Sequence, residues 1–147
     1  MRILMASDHA GYDLKRLLAA HARSLGHEVI DLGPFGADAV DYPDYGHELS
    51  RRLLATEAER GVLICGTGVG MAMVANRHRG VRAALCNDAF TAEAARRHND
   101  ANVLCLGGRT TGPGVAVQIM EIFLRTPFDG GRHARRVEKI EIEEGQS

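Results

Sequence analysis

The chain has 147 residues, of which 18 are basic and 19 acidic, so its formal net charge at neutral pH is −1. This length is typical of one domain, which we predict over residues 1–147, and the balanced charge without a basic tract argues against nucleic acid as a partner. The sequence has no apolar run long enough to cross a membrane and no signal peptide. Three cysteines without close pairing or zinc spacing favour reduced thiols. We therefore expect a cytoplasmic protein with a small-molecule partner and no bound metal.

Apolar segments of strand length alternate with segments of helical spacing along the chain. The predicted strands cover residues 2–7, 27–32, 61–65, 81–86 and 102–106. The first helical segment carries an apolar stripe and is closed by Gly26. Its stripe consists of Leu14, Leu17, Leu18, Ala22 and Leu25. This alternation predicts an α/β fold in which helices cover both faces of a parallel sheet. A charged segment at about 130–144 is predicted to form a C-terminal helix.

The third predicted strand ends in a loop with glycine at every second position, from Cys65 to Gly70. Such a loop can point several backbone N–H groups at one spot, because glycine allows unusual φ values and close approach. That spot suits a bound anion or an oxyanion formed in a transition state. The loop lacks the lysine of the nucleoside-triphosphate motif, and its G-x-G-x-G spacing differs from the dinucleotide fingerprint G-x-G-x-x-G. A sharp turn without a ligand is the alternative.

Reactive residues follow several predicted strands, at the edge where open parallel sheets bind ligands. These residues are Asp8, His9, Cys65 and Arg109. Asp8 has a simpler alternative role as a cap of the following helix. Cys86 and Cys105 lie within apolar strands, so we predict that they are buried packing residues.

Two arginines in the C-terminal segment, Arg132 and Arg136, are spaced to share one helix face. Like charges at this spacing repel each other, so placing both arginines on one face is best explained by an anion that binds to both. Alternatively, Glu138 and Glu141 neutralise the arginines on a solvated helix. His98 also has two interpretations. It is either a functional residue or an ordinary residue at a helix C-terminus, where a cation interacts favourably with the negative end of the helix dipole.

Five sequence blocks together resemble type B ribose-5-phosphate isomerase, a family that also contains allose-6-phosphate and galactose-6-phosphate isomerases. The blocks are Asp8 to Gly11, Asp41 to Pro43, Cys65 to Gly70, Arg97 to Leu104 and Gly130 to Arg136. The resemblance extends from the first strand to about Glu138. It implies a three-layer α/β/α Rossmann-like fold with a five-stranded parallel sheet. It also implies a homodimer or homotetramer with active sites shared between subunits, and no cofactor.

The resemblance further implies an aldose-ketose isomerase of the pentose phosphate pathway that interconverts D-ribose 5-phosphate and D-ribulose 5-phosphate through an enediolate. The implied catalytic residues are Cys65 as the base, Thr67, His98 and Asp8. The implied substrate-binding residues are His9, Tyr42, Gly66, Gly68, Val69, Gly70, Asn99, Arg109, Arg132 and Arg136. Of these residues, His98, Asn99 and Arg109 are implied to reach in from the partner subunit. The alternatives are an isomerase of a six-carbon sugar phosphate and a non-catalytic nucleotide-binding module.

The family resemblance also bears on the choice of base. Some members carry a glutamate just after the glycine loop, at the position that Met71 occupies in this chain. Met71 cannot accept a proton, so the resemblance assigns the base to Cys65. A free thiol has a pKa of about 8.5, and backbone dipoles of the loop and the helix start would favour its thiolate form.

Overall fold

Five parallel strands form one sheet in the computed structural model, which describes residues 1–145 of the chain. The strands are β1 (Arg2–Ser7), β2 (Glu28–Asp31), β3 (Arg60–Cys65), β4 (Ala83–Leu85) and β5 (Val103–Gly107). Their order in the sheet is β2-β1-β3-β5-β4, and every neighbouring pair is parallel. Each predicted strand segment overlaps one observed strand, and the ends differ by at most two residues, so the predicted parallel sheet is confirmed. The last two residues of the predicted domain lie outside the described range.

Helices cover both faces of this sheet, which confirms the predicted three-layer fold. They are α1 (Tyr12–Ser24), α2 (Tyr42–Leu54), α3 (Val69–Ala75), α4 (Ala89–Asn99), α5 (Pro113–Arg125) and α6 (Arg132–Glu138). One apolar core joins α1, α4 and α5 to the sheet through residues such as Leu18, Ala92 and Phe123. A second core packs Leu49 of α2 and Met71 of α3 on the other face. Within residues 1–145, no helix is long and apolar enough to span a membrane.

The buried face of α1 differs in part from the predicted stripe. Leu14, Leu18 and Ala22 are buried as predicted, whereas Leu17 and Leu25 are exposed. Lys15 takes a place on the buried face and is itself fully buried. Its ammonium group can be buried because it forms an ion pair with Asp31 and donates a hydrogen bond to a backbone carbonyl. No local sequence pattern predicts this polar contact between distant residues.

The C-terminal helix is shorter than predicted, since α6 ends at Glu138 and the chain beyond it to residue 145 is irregular. The Glu141 carboxylate accepts a hydrogen bond of 2.8 Å from the Gly80 N–H. Ile140 and Ile142 line a cavity of about 470 Å³ together with Asn99. A continued helix would carry these side chains away from the sheet, so tertiary contacts end it early.

Because all strands run in the same direction, the sheet has a carboxyl end, where the strands finish, and an amino end, where they begin. β1, β3 and β5 end side by side, with Ser7 paired to Ile64 and Cys65 paired to Gly107. Each helix that follows a strand runs back to the opposite, amino end of the sheet. The end of α4 lies there, because Asp100 accepts a hydrogen bond of 3.3 Å from Arg82, the residue before β4.

Candidate active site

Cys65 is the last residue of β3 and lies almost fully buried at the carboxyl end of the sheet. Its Sγ accepts a hydrogen bond of 3.2 Å from the N–H of Gly68 in the loop that follows. An N–H aimed at sulfur stabilises a negative charge there, because the donor dipole points its positive end at the charge. The local geometry therefore suits a thiolate that exchanges protons with a bound molecule.

The glycines of this loop are required by close packing and by backbone conformation. Gly68 has φ of +81°, in the left-handed region that favours glycine, and a Cβ there would lie 2.6 Å from Leu85. A Cβ on Gly70 would lie 2.7 Å from the ring of Tyr42, so this ring packs directly on the loop. The Cys65 carbonyl accepts a hydrogen bond of 2.8 Å from Gly108, which joins the loop to the end of β5. The predicted change from strand to loop to helix is present, with α3 beginning at Val69.

Asp8 is buried at the end of β1, beside the end of β3. Its N–H donates to the carbonyl of Ile64 at 3.1 Å, which fixes it next to Cys65. The Asp8 carboxylate accepts a hydrogen bond of 3.0 Å from the N–H of Gly11, just before α1. Asp8 therefore closes the turn that leads into α1, but it does not cap the helix as the alternative expected, because the N-cap residue is Gly11 and α1 has no side-chain cap hydrogen bond.

His9 is exposed at the same end of the sheet, and its ring is held by a residue that sequence reasoning missed. The backbone N–H of Val40 donates to His9 Nδ1 at 3.2 Å. A neutral ring whose Nδ1 accepts a hydrogen bond carries its proton on Nε2, where it can donate to a ligand. No sequence pattern indicates Val40, because the contact uses the backbone of a loop 31 positions away.

Arg109 lies against the glycine loop of its own chain. Its N–H donates to the Gly66 carbonyl at 3.0 Å. Its Nη1 lies 3.5 Å from the position that a Cβ of Gly66 would occupy. The side chain thus places a positive charge over the loop, whereas the resemblance assigned Arg109 to the site of a partner subunit. Thr67 is exposed in the same loop, and its Oγ1 accepts a hydrogen bond of 3.3 Å from Val69.

A second group of predicted residues lies at the amino end of the sheet, where α4 ends and α6 begins. His98 and Asn99 close α4, and the His98 ring stacks on the ring of His133 with centroids 4.5 Å apart. Arg132 and Arg136 lie on α6 and are exposed. A hydrogen bond of 3.0 Å from the Asp129 N–H to the carbonyl of Arg97 holds the segment before α6 against α4.

This second group is positively charged and has few counter-charges. Within residues 1–145, neither Arg132 nor Arg136 forms an ion pair, and Glu141 binds the backbone of Gly80 instead. Desolvation lowers the pKa of His133, and His98 and the two arginines lower it further. The alternative in which Glu138 and Glu141 neutralise the arginines is therefore not what the described structure contains. Such a group favours an anion.

One chain therefore does not bring all of the predicted residues together. Asp8, His9, Tyr42, Cys65, Thr67 and Arg109 lie with the glycine loop at the carboxyl end of the sheet. His98, Asn99, Arg132 and Arg136 lie at the opposite end.

The other two cysteines are fully buried in the sheet region, as predicted. Desolvation, together with the negative charge of Asp88, raises the pKa of Cys86 to about 12. Desolvation also raises the pKa of Cys105. Both thiols stay protonated at neutral pH, so Cys65 is the one cysteine with a donor arranged for a thiolate.

A parallel α/β domain with a thiol at the end of its third strand, and a glycine loop folded around that thiol, matches one known class of proteins. The family model described as Ribose/Galactose Isomerase matches residues 3–140. This chain belongs to that family, which confirms the resemblance found in the sequence.

The particular relatives are type B ribose-5-phosphate isomerases. The chain is 40% identical to ribose-5-phosphate isomerase B of Escherichia coli over 139 residues, which cover 95% of this chain and 93% of that protein. It is 46% identical to the solved ribose-5-phosphate isomerase B of Clostridium thermocellum, with a TM-score of 0.94 and 95% of each chain covered. A structure of the Mycoplasma genitalium enzyme with bound ribulose-5-phosphate is 43% identical, with a TM-score of 0.91 and 95% and 93% of the two chains covered.

Proposed function

We propose that this chain interconverts D-ribose 5-phosphate and D-ribulose 5-phosphate through an enediolate intermediate. The observation that carries the proposal is the Cys65 sulfur, which accepts a hydrogen bond from the Gly68 N–H at the end of β3, where the buried Asp8 follows the neighbouring strand β1. The relatives from Escherichia coli and Clostridium thermocellum bear the name of this activity, and the Mycoplasma genitalium structure contains the ketose product.

The carbon chemistry falls to Cys65. Its thiolate takes the proton from C2 of the open-chain aldose, and the C–H electron pair forms the C1=C2 bond of the enediolate. The C1 carbonyl oxygen gains the negative charge, which N–H groups of the glycine loop stabilise. The thiol then returns the proton to C1, while Thr67 assists proton movement between the two oxygens. The products are the ketose and the starting thiolate.

Ring opening and phosphate binding require the second group of residues. His98 with Asp8 opens the sugar ring by acid-base transfer, for which an imidazole is well matched. His9 donates its Nε2–H to the phosphate, and Arg132 and Arg136 supply the positive charge that the dianion needs.

Because the two groups lie at opposite ends of one chain, we propose that each active site combines the Cys65 end of one subunit with the His98 end of another. A homodimer with two-fold symmetry makes two such sites from one kind of interface. Exposed apolar side chains near the Cys65 end, Val69, Met73 and Phe90, offer surface for this contact. The homodimer proposal leaves open whether two dimers pair into a tetramer.

The variant Cys65→Ala tests the assigned base separately from binding. It removes the thiol and leaves the glycine loop and the arginines, so it should still bind ribose 5-phosphate while losing exchange of the C2 proton with solvent. Loss of exchange is measured by NMR in deuterium oxide, and binding is measured by calorimetry. Cys86→Ala is the matched control, because Cys86 is a buried thiol with a raised pKa and should not take part.

Proton exchange at close to the wild-type rate in Cys65→Ala would remove Cys65 from the mechanism and point to Asp8. Turnover of ribose 5-phosphate, allose 6-phosphate and galactose 6-phosphate should be measured side by side in the wild type. A clear preference for a six-carbon substrate would replace the proposed substrate while leaving the chemistry in place.

A further inference from the structure

Lys15 of α1 is a fully buried charged side chain to which the proposed mechanism gives no role. Its ammonium donates hydrogen bonds of 2.6 Å to the Asp31 carboxylate and 2.7 Å to the Pro34 carbonyl. The rings of Tyr12 and Phe35 also lie over the ammonium, with centroids 5.6 and 5.3 Å from Nζ. The charge is therefore neutralised and covered by α1, by the end of β2 and by the chain that follows β2.

This ion pair fixes the start of the loop that joins β2 to α2, residues 32–41, which we call the β2–α2 loop. The Asp31 carboxylate also accepts a hydrogen bond of 2.8 Å from the N–H of Gly33. The carbonyl of Gly33 accepts a further hydrogen bond of 3.1 Å from the N–H of Ser7, the last residue of β1. The ion pair thus holds one end of the loop against the carboxyl end of the sheet.

The other end of the β2–α2 loop reaches His9. The N–H of Val40 donates to His9 Nδ1 at 3.2 Å. Residues 35–39, between the two ends, are exposed, so little packing fixes their path. The position of the Val40 N–H therefore depends on what holds the loop at its start and on α2 at its end.

Stability alone does not explain why a charged residue is buried at position 15. Replacing a buried ion pair by uncharged residues of similar volume is often neutral or even stabilising, because both charges lose their hydration on burial. What such a pair can supply instead is a single arrangement of the chain, since its hydrogen bonds are satisfied in that arrangement alone.

We propose that Lys15 is a positioning residue for substrate binding, which acts by holding the β2–α2 loop so that Val40 donates to His9. The inference rests on the proposed function, in which the Nε2–H of His9 meets the phosphate. A neutral imidazole without a partner at Nδ1 exchanges between its two tautomers. Only the tautomer with its proton on Nε2 can donate from that atom. Loss of the Val40 contact therefore lowers the competent fraction and weakens the apparent affinity by the same factor.

The double variant Lys15→Met/Asp31→Asn tests this role. It removes both charges together, so no unpaired charge is left buried, and the side-chain amide oxygen at position 31 still accepts the Gly33 N–H. Thermal melting verifies that the variant is folded. The readout is the ¹⁵N NMR signals of the His9 ring, which are assigned by their loss in His9→Gln.

Spectra recorded well above the ordinary histidine pKa of about 6.5 report on neutral rings. In the wild type, Nε2 of His9 should carry the proton and Nδ1 should not. In the double variant the two signals should move toward each other, because the tautomers mix.

The kinetic readout is a split between KM and kcat. The double variant should raise KM for ribose 5-phosphate about three- to tenfold, the factor that one hydrogen bond contributes. Its kcat should change less than about twofold, because the phosphate is remote from the reacting carbons and is bound equally in the ground and transition states. In a His9→Gln background the same two substitutions should raise KM no further, because their effect passes through His9.

Asp31→Asn alone is a milder second variant, since it keeps the side-chain volume and the acceptor for Gly33. It should move the His9 signals in the same direction as the double variant. The matched control is Arg52→Met/Glu57→Gln, which removes an ion pair of the same length, 2.6 Å, at the end of α2. The control should leave the His9 signals and KM unchanged.

Wild-type His9 signals in both Asp31→Asn and the double variant would overturn the proposal and assign the position of Val40 to α2 alone. A further rise of KM in the His9→Gln background would also overturn it, because Lys15 would then act by another route. Shifted His9 signals with an unchanged KM would reject the link to substrate binding.

The NMR readout requires no turnover, so it separates this inference from the proposed function. Shifted His9 signals in the double variant, with a wild type that does not isomerise ribose 5-phosphate, would support the link from Lys15 to His9 and reject the proposed function.

Discussion

At the residue scale, the proposed chemistry depends on a few side chains that are held by backbone hydrogen bonds. Cys65 receives the Gly68 N–H, and His9 receives the N–H of Val40. These donors belong to loops, and loops offer N–H groups that no strand or helix has already used. The site is therefore prepared before a ligand binds, which reduces the ordering that binding requires.

The variant Arg136→Ala tests the phosphate-binding role at this scale. If Arg132 and Arg136 clamp a phosphate dianion that a partner subunit covers, the variant should chiefly raise KM and weaken inhibition by inorganic phosphate. The expected loss of transition-state binding is about 2 to 4 kcal/mol, the range for removing one partner of a desolvated charged pair. Arg135→Ala is the control, since Arg135 lies one position off this face of α6. Equal kinetics for both variants and the wild type would make α6 an ordinary solvated helix.

At the element scale, buried charged groups join the ends of helices and strands. Arg96 is almost fully buried and donates hydrogen bonds to Asp100, to the carbonyl of Ala101 and to the carbonyl of Thr126. It thereby joins the end of α4 to the end of α5, the region that positions His98. The stability of this end of the molecule therefore depends on the buried guanidinium of Arg96, although charged side chains are rarely buried unless they are paired.

Arg96→Met should lower the free energy of unfolding by about 2 to 3 kcal/mol, because it leaves the carbonyls of Ala101 and Thr126 without their donor, whereas Asp100 keeps its ion pair with Arg82. Chemical denaturation with urea measures this change. Arg51→Met removes an exposed ion pair with Glu48 and should cost less than about 1 kcal/mol. A similarly small effect of Arg96→Met would show that water or other side chains satisfy these groups.

The pair of His47 on α2 and His78 beyond α3 predicts a pH dependence of stability. Desolvation lowers the pKa of His78, and His47 and Arg51 lower it further. As the pH falls through about 6.5, the unfolded chain gains the His78 proton before the folded chain does, so the free energy of unfolding should decrease. Urea denaturation between pH 7 and pH 5 measures the slope. The slope should be smaller in His78→Gln, and parallel curves for the two proteins would contradict the prediction.

At the scale of the whole molecule, the parallel sheet separates the two groups of predicted site residues. Every strand ends at one edge and every following helix returns to the other, so residues at a helix C-terminus cannot reach the glycine loop of their own sheet. The proposal that two subunits share each active site follows from this arrangement.

Mixing two inactive variants tests the shared site. Under the proposed mechanism, Cys65→Ala and His98→Ala should each disable every site in their own homodimers. A heterodimer of the two contains one site with both defects and one site with neither, by two-fold symmetry. Random subunit exchange should therefore restore activity to about a quarter of the wild-type value, since half of the dimers are mixed and each has one intact site. Absence of any recovery, with exchange verified by mass spectrometry, would indicate that each chain completes its own site.

The sequence by itself determined the strands and helices and their parallel arrangement. It also determined the residue types of the candidate site around Cys65 at the carboxyl end of the sheet. These features depend on local patterns, because apolar periodicity fixes strands and helices, and a glycine loop after a strand signals backbone groups free to bind an anion. Cys65 and its loop were therefore accessible from the residues alone. The resemblance added assignments for residues such as Tyr42 and Asn99, which no local pattern marks.

Only the tertiary structure decided which residues lie near one another. The burial of Lys15, the contact of Val40 with His9 and the early end of α6 at Glu138 all depend on contacts between segments distant in the sequence. The cluster of His98 and His133 exists because the chain after α5 returns to the end of α4. Sequence patterns report periodicity over one element, whereas such contacts arise from how whole elements pack, and therefore the fold alone could place them.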